Sequence, residues 1–281
     1  MGLRDYIVSF RVLNSSMTGL GIVFAIILYS GWKPDIMVLV IGFLTGFLGS
    51  SSAMLINDYM DRYVDSINKP WKPIPSGRVD PLKIRDLSIL FLVLTIIINI
   101  PLGAIVVLVT TIYALISYIY SFLRKHWWSQ LIVAFSTTSP IVYGYFAVNP
   151  EQKYMLLATL YSLTIFTASI SREVLKAVID IEGDKKQGYN TIPLKIGLEK
   201  TIKLLKISAL TSTILAYMTG VICRVSIYYY ILITITVTIY LYEIINSTRN
   251  IEDKEKLDRA RKNILYAMLI GLIAYLTTYP P

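Results

Sequence analysis

The sequence predicts an all-α polytopic membrane protein, a bundle of nine transmembrane helices with cytoplasmic loops capping a site. Composition is the first support: of 281 residues, 55% are hydrophobic and 16% are charged, and the mean hydropathy is +0.59. A soluble domain is usually about 45–50% apolar and about 25% charged. The composition therefore favours a single membrane domain over residues 1–281 and excludes a disordered chain. The lone Cys223 excludes a disulfide scaffold.

Long apolar stretches are the second support, because about 20 apolar residues cross a bilayer as a helix. The predicted spans are residues 12–29, 36–56, 86–99, 102–122, 131–148, 154–170, 202–222, 227–245 and 264–279. The third and fourth form one apolar run. We divide it at Pro101 and Gly103, because a helix interior tolerates this pair poorly and a tight reversal tolerates it well.

The distribution of charge is the third support. With nine spans, 24 of the 27 lysines and arginines lie on the side that holds the N-terminus, and only Lys33, Lys153 and Arg224 lie on the other. The positive-inside rule places the N-terminus and the large loops in the cytoplasm and the C-terminus outside, in a multi-pass protein of the cell membrane. The net charge of +9 is thereby explained by topology and membrane lipids, and no nucleic-acid partner is predicted.

Carboxylates are concentrated directly after the second span. Asn57, Asp61 and Asp65 recur every four residues, and Asp58 falls on the same face if the helix continues past Ile56. Carboxylates that share one face repel each other, and a divalent cation relieves the repulsion. Hard oxygen ligands without histidine or cysteine suit Mg²⁺. A capped, solvated helix end is the alternative, but a cap uses one such residue.

A similar pattern follows the sixth span. Arg172, Lys176, Asp180 and Asp184 form one stripe at four-residue spacing. Taken alone, the stripe could equally be a chain of intrahelical ion pairs. Two acidic clusters on one membrane face, each beside basic residues, instead suit an anion held between two Mg²⁺ ions.

A diphosphate fits this arrangement, because its oxygens can bridge both metal ions while lysines and arginines bind the remainder. Lys69, Lys125 and Lys176 are the favoured cations. The other candidates are Lys72, Arg78, Arg124, Lys185 and Lys186, and contact with lipid headgroups is the alternative for each. Residues 68–78 are rich in proline, which favours a stiff, non-helical strap over the site rather than a plain linker.

These motifs resemble the UbiA superfamily of intramembrane prenyltransferases over essentially the whole chain. The first match joins Asn57, Asp58, Asp61 and Asp65 to Asn68, Lys69, Pro70, Pro73, Pro75 and Gly77; the second runs from Asp180 through Glu182, Gly183, Asp184 and Lys185 to Gly188 and Pro193. Arg11 with Asn14, and Tyr120 with Lys125, resemble further family positions. Many relatives have an additional aspartate where this chain has Ala177.

The resemblance implies a nine-helix bundle that uses Mg²⁺ to transfer a prenyl group from an allylic diphosphate to a lipid-soluble acceptor. Asn57, Asp58, Asp61 and Asp65 would hold one ion, and Asp180 with Asp184 the other. Lysines would stabilise the leaving diphosphate. Three tyrosines near the cytoplasmic end could stabilise the allylic cation, with packing as the alternative: Tyr120, Tyr143 and Tyr145.

The sequences of the two motifs are most similar to those of the branch of the family that forms the second ether bond of archaeal membrane lipids. The expected reaction moves a geranylgeranyl group from geranylgeranyl diphosphate to the hydroxyl of geranylgeranylglyceryl phosphate. The acceptor phosphate would need further cations, for which Arg11, Arg78, Arg172 and Lys186 are available. A chlorophyllide-like, aromatic or quinone-precursor acceptor is the alternative.

A transporter or lipid-binding protein is the alternative from another class. A transport pathway needs ionisable groups near mid-membrane, and these spans contain almost none. Oligomeric state is left open.

Overall fold

The computed structural model of the chain describes residues 3–68 and 70–278 and is helical nearly throughout. Within those ranges there is no β-strand, and one isolated bridge joins His126 to Asn190. The helices are α1 Leu3–Ser9, α2 Val12–Tyr29, α3 Ile36–Met60, α4 Arg62–Asn68, α5 Pro81–Ile97, α6 Ala104–Leu123, α7 Ser129–Ser136, α8 Ser139–Val148, α9 Lys153–Ile179, α10 Ile181–Lys186, α11 Ile192–Ile196, α12 Leu198–Cys223, α13 Ile227–Arg249 and α14 Lys254–Leu276.

Eight helical segments within the described ranges are long and apolar enough to cross a membrane. They are Val12–Tyr29, Ile36–Met60, Pro81–Leu102, Ala104–Leu123, Ser129–Val148, Lys153–Ile179, Leu198–Cys223 and Ile227–Arg249. The predicted all-helical membrane class is confirmed, but the count of nine is not. The ninth predicted span falls on α14, which carries seven charged residues between positions 254 and 262. Tyr279, where that span was to end, lies outside the described residues.

The breaks between helices follow from local chemistry. The predicted division at Pro101 and Gly103 is confirmed: a 3-10 turn, Ile100–Leu102, is followed by Gly103 with φ of 99°. The third span begins at Pro81, earlier than predicted. The Asp80 carboxylate accepts a hydrogen bond from the Leu82 amide, and a proline is favourable in the first helical turn. The fifth predicted span is interrupted between α7 and α8, just before Pro140.

Small residues allow α2 and α3 to pack closely. A Cβ atom on Gly46 would lie 2.7 Å from the Cα of Gly19, which only glycine permits. The two largest of four apolar clusters among the described residues lie elsewhere in the bundle. One, at the end where α2 stops, includes Tyr29, Tyr161 and Tyr275. The other packs α9 against α12, α13 and α14 near the two acidic segments.

Candidate functional site

The two acidic segments have the same backbone architecture. In each, a long helix stops at an aspartate with nearly identical dihedral angles, φ −81° and ψ 0° at Asp61 and φ −89° and ψ 2° at Asp180, and a short helix follows. The Asp65 amide donates to the Asp61 carbonyl at 2.7 Å, and the Asp184 amide donates to the Asp180 carbonyl at 2.9 Å. The chain therefore turns at an aspartate yet keeps the predicted four-residue spacing.

One cavity of about 790 Å³ is lined by both acidic segments. Its acidic-end lining includes Asn57, Asp61, Asp65, Asp180 and Asp184, with the cations Arg11, Lys72, Arg124, Lys176, Lys186, Lys254 and Arg261. From there it runs among α2, α3, α5, α6 and α8 to Thr45 and Tyr143. Asp61 directly follows α3 and is 16 positions after Thr45, which corresponds to about 24 Å at 1.5 Å per residue. The cavity is thus polar and charged at one end and reaches deep into the bundle.

The first acidic cluster is buried and neutralised by cations from other segments. Asp58 accepts hydrogen bonds from the Arg11 guanidinium at 2.8 Å and from Lys72 Nζ at 3.0 Å. Lys72 also contacts Asp65 at 2.5 Å. Asp58, Asp61 and Asp65 are all buried. Removal of one partner from such a group is costly because it leaves an uncompensated buried charge.

Arg124, at the end of α6, lies between the two clusters. Its guanidinium forms an ion pair with Asp61, whose carboxylate also accepts a hydrogen bond from the Asn57 amide at 2.9 Å. Tyr189 lies beside it, with the ring centroid 5.9 Å from the guanidinium carbon. The sequence favoured the neighbouring Lys125, but the Lys125 side chain is exposed and does not line the cavity.

Burial raises the pKa of Asp61 and of Asp184 above the ordinary value, and Arg124 partly offsets this effect at both carboxyls. A second carboxylate adds to the increase in each case, Asp65 beside Asp61 and Asp180 beside Asp184. A bound cation would favour the ionised form of both groups. Raised pKa values at a cavity wall are typical of functional sites.

The second acidic cluster is less neutralised than the first. Glu173, which is buried, accepts hydrogen bonds from Arg172 at 2.9 Å and from Lys176 at 3.2 Å. The ion-pair chain considered from the sequence, along Arg172, Lys176, Asp180 and Asp184, is therefore not what forms among the described residues, because Arg172 and Lys176 pair with Glu173 instead. Among the described residues, no ion pair reaches Asp180 or Asp184, so both carboxylates face the cavity without a direct cationic partner.

The donor set fits Mg²⁺ when a substrate supplies part of the coordination. Within the described ranges, no three histidine, cysteine or acidic side chains converge as a complete metal site. Mg²⁺ usually takes only one or two carboxylates and fills its octahedron with phosphate oxygens and water. Each segment offers carboxylate oxygens on the cavity wall, and Asn57 adds an amide oxygen.

The predicted strap is non-helical from Pro70 to Arg78, whereas Asn68 is the last residue of α4. Ile74 and Val79 are buried against Leu55 and Ile84, which anchors the strap to α3 and α5. Arg78 donates to the Trp71 carbonyl at 2.6 Å and pairs with Asp5 at 3.3 Å. It holds the strap in place and does not line the cavity, whereas Lys72 reaches the acidic cluster.

Of the three predicted tyrosines, only Tyr120 lines the acidic end of the cavity. The placement of Tyr143 and Tyr145 near that end is corrected, because α7 and α8 run away from it. The Tyr143 hydroxyl donates to Asn99 Oδ1 at 2.6 Å, beyond the far end of α5. Tyr145 packs edge-on against Tyr29 at the end of α2, with ring centroids 5.6 Å apart. Tyr143 still lines the deep end of the cavity.

Among the described residues, four further predicted ones do not line the cavity: Asp58, Asn14, Lys185 and Arg172. The side chains of Asn14 and Lys185 are exposed, and Arg172 is directed to Glu173. The Asn68 side chain and all of Lys69 lie outside the described part of the chain.

The sequence missed Glu173 as a partner of Lys176, and it missed Lys254 and Arg261 entirely. The seven-residue spacing of these two cations places them on one helix face, a signal that could have identified them.

Comparisons with known proteins agree with this geometry. Residues 19–278 match the UbiA prenyltransferase family. The chain is 30% identical over 277 residues to digeranylgeranylglyceryl phosphate synthase of Methanosphaera stadtmanae, covering 97% of this chain and 98% of that protein. Both the match and the alignment extend over nearly the whole bundle.

Solved structures share the fold. One described as digeranylgeranylglyceryl phosphate synthase in membranes has a TM-score of 0.80 at 25% identity and covers 99% of this chain and 98% of its own. A UbiA homologue from Archaeoglobus fulgidus bound to DMAPP and Mg²⁺ has a TM-score of 0.72 at 17% identity, covering 95% of this chain and 99% of its own.

Proposed function

Because the chain belongs to the UbiA prenyltransferase family, we propose that it transfers a geranylgeranyl group from geranylgeranyl diphosphate to the free hydroxyl of geranylgeranylglyceryl phosphate. The observation that carries the proposal is the single cavity that joins two acidic segments and their cations to a deep space among apolar helices. A prenyl diphosphate has the same polarity, with an anionic head and an apolar tail. Full-length similarity to the named synthase supports this acceptor.

Magnesium is the proposed cofactor, with two ions bridging the diphosphate. Asn57, Asp58, Asp61 and Asp65 are the proposed ligands of one ion, and Asp180 with Asp184 of the other. When bound, Mg²⁺ supplies positive charge that stabilises the leaving diphosphate. Within the described part of the chain, Asp180 and Asp184 have no direct cationic partner, which supports a metal role for that pair.

Cationic side chains of the first cluster are placed to exchange partners on substrate binding. Lys72 and Arg124 contact carboxylates that the metal would bind. If these carboxylates held a metal ion, Lys72 and Arg124 would be available to contact diphosphate oxygens, where charge-assisted hydrogen bonds are strong. Lys176 lines the same cavity and is held by Glu173. Lys69 stays a prediction of the sequence.

The reaction begins when the bond between the allylic carbon and the diphosphate oxygen breaks. The electron pair stays with the diphosphate, where Lys72, Arg124 and Lys176 stabilise the developing negative charge. The Tyr120 ring is the aromatic group at this end that can stabilise the allylic cation. The acceptor hydroxyl oxygen then bonds to the allylic carbon, and its proton passes to the released diphosphate or to water. The deep end near Tyr143 would hold the prenyl tail.

The test is a competition assay with purified protein, geranylgeranyl diphosphate and Mg²⁺. Geranylgeranylglyceryl phosphate, 4-hydroxybenzoate and a chlorophyllide are offered together, and we expect the ether of the first to dominate. Preference for either other acceptor would reject the acceptor but not the family.

The catalytic site is tested separately with Asp61→Asn and Asp180→Asn. We expect each change to lower diphosphate release at least about a hundredfold, in line with the loss of a main electrostatic group. Asp86→Asn is the matched control, because Asp86 is exposed on α5 and pairs with its neighbour Arg85. Unchanged release in both site variants would disprove the two-cluster mechanism.

A further inference from the structure

A second group of cations lines the cavity on the side of α10 and α14. Lys186 comes from α10, and Lys254 and Arg261 come from α14. Two helical turns separate Lys254 from Arg261, so both project from one face of α14. Lys254 Nζ contacts Glu182 of α10 at 2.6 Å, which brings the start of α14 against the second acidic segment. The charged half of α14 is therefore part of the cavity wall.

These cations differ from those at the first acidic cluster in what neutralises them. Arg11, Lys72 and Arg124 contact buried carboxylates that the proposed function assigns to Mg²⁺. Lys254 instead pairs with Glu182, whose side chain is 70% exposed. Exposed ion pairs contribute little, so Lys254 can exchange this partner for a ligand.

Arg261 is similarly available. It pairs at 2.5 Å with Asp258, one turn earlier on the same helix, and both side chains are partly exposed. Lys186 has no ion pair among the residues that the structure describes. None of the three cations is needed to balance a carboxylate of the proposed metal sites. The three cations are therefore not needed to bind the diphosphate or to neutralise the carboxylates that would hold its metal ions.

We propose that Lys186, Lys254 and Arg261 bind a monoester phosphate, that of the acceptor, at a site separate from the diphosphate site. An arginine fork with two lysines suits the terminal oxygens of such a group. The inference rests on the proposed function and deepens it. A phosphate held at this wall places the acceptor in the same cavity as the allylic carbon. Such a site would favour a phosphorylated acceptor over its dephosphorylated form.

The experiment compares two acceptors, geranylgeranylglyceryl phosphate and geranylgeranylglycerol. A hydrogen bond to a charged group contributes about 1.5–3 kcal/mol, so Arg261→Gln and Lys254→Gln should each raise the KM for the phosphorylated acceptor about tenfold or more. The KM for geranylgeranylglycerol and that for geranylgeranyl diphosphate should stay within about twofold. Lys256→Gln is the matched control, because Lys256 is an exposed α14 lysine that pairs with Asp253 and does not line the cavity.

Three outcomes would overturn the phosphate site. The KM for both acceptors could rise equally, the KM for the diphosphate could rise instead, or no KM could change.

A further comparison uses neutral detergent and vesicles containing anionic phospholipid. Anionic lipid could activate the parent protein but not the variants, while the KM for the acceptor stays constant. That result would assign the cations to bulk lipid headgroups. If Arg261→Gln unfolds in a thermal scan, Lys254→Gln and Lys186→Gln carry the same comparison.

Glyceryl phosphate, used as a probe, distinguishes failure of the phosphate site from failure of the proposed acceptor. It should inhibit diphosphate release by the parent protein and inhibit Arg261→Gln at least about tenfold less, whichever acceptor is used. Inhibition that is equal in both proteins would reject the phosphate site itself. Rejection of geranylgeranylglyceryl phosphate in the competition assay, with the inhibition difference retained, would reject only the acceptor.

Discussion

At the scale of residues, Arg124 and Lys125 are adjacent and carry the same charge, but only Arg124 lines the cavity. The helix ends at Leu123, and Arg124 continues in a helical conformation that directs its guanidinium to Asp61. Lys125 follows on the exposed side, and its carbonyl accepts the Asn190 amide at 2.9 Å. Sequence alone could not choose between them, because the choice depends on the rotation of α6 in the bundle.

The choice is testable with a matched pair of substitutions. We expect Arg124→Gln to lower kcat/KM for geranylgeranyl diphosphate about tenfold to a hundredfold, because it removes a charge-assisted contact of about 1.5–3 kcal/mol. Lys125→Gln should change kcat/KM by less than about twofold. Steady-state diphosphate release measures both. A larger loss of kcat/KM in Lys125→Gln than in Arg124→Gln would place Lys125 in the site instead.

Magnesium binding should depend on pH through Asp61 and Asp184. Burial raises the pKa of both carboxyls, so protons occupy them at a higher pH than at an ordinary aspartate, whose pKa is about 3.9. Metal ions bind the ionised form, so Mg²⁺ affinity should be full above the raised pKa values and fall as the pH decreases through them.

The measurement is the increase in thermal unfolding temperature caused by Mg²⁺ with a non-reactive diphosphate analogue, at a series of decreasing pH values over which the protein stays folded. The increase should shrink with decreasing pH in the parent protein and in the exposed control Asp86→Asn. An increase that stays constant with pH would contradict the assignment of these carboxylates as metal ligands.

At the scale of elements, each acidic motif is a long helix, an aspartate at its end and a short helix. The four-residue spacing predicted one acidic face, and one cavity is lined by Asp61, Asp65, Asp180 and Asp184 but not by Asp58. The interruption at Asp61 and Asp180 was not predicted, because no proline or glycine marks it in the sequence. At the turn, Arg124 pairs with the Asp61 carboxylate, and the strap packs against α3 and α5.

The crossing of α2 and α3 provides a prediction for stability. Gly46→Ala places a Cβ atom 2.7 Å from the Gly19 backbone, and overpacking of this kind costs about 1–3 kcal/mol. We expect a lower thermal unfolding temperature in detergent. Gly49→Ala on the same helix is the control, because its Cβ would meet the Thr95 methyl at 3.4 Å, an ordinary contact. Equal stability of the two variants would show that the crossing is not tight.

At the scale of the whole molecule, the cavity exists because helices from both halves of the chain converge. The segments after α3 and α9 supply carboxylates, and α6 and α14 supply Arg124 and Arg261. Multiple apolar helices make the chain a multi-pass membrane protein. Its orientation is a prediction from charge, which places the acidic segments on the cytoplasmic side.

Orientation can be measured by cysteine labelling in a Cys223→Ser background. Lys33→Cys lies between α2 and α3, and Lys200→Cys lies in the first turn of α12; both positions are exposed. A membrane-impermeant maleimide should label Lys33→Cys in intact cells and Lys200→Cys only after lysis. The reverse pattern would place the acidic segments outside.

The sequence by itself determined the membrane class, the division at Pro101 and Gly103, and the two acidic motifs with their oxygen-only donor set. These features are local, because they depend on apolar length, backbone chemistry and residue spacing. Tertiary structure decided which cations line the cavity: Arg124 in place of Lys125, and Lys254 and Arg261 from a distant helix. It also moved Tyr143 to the far end of the cavity. Such choices depend on how each helix is rotated and on which end of the bundle a residue reaches, and these are set by packing between segments far apart in the chain.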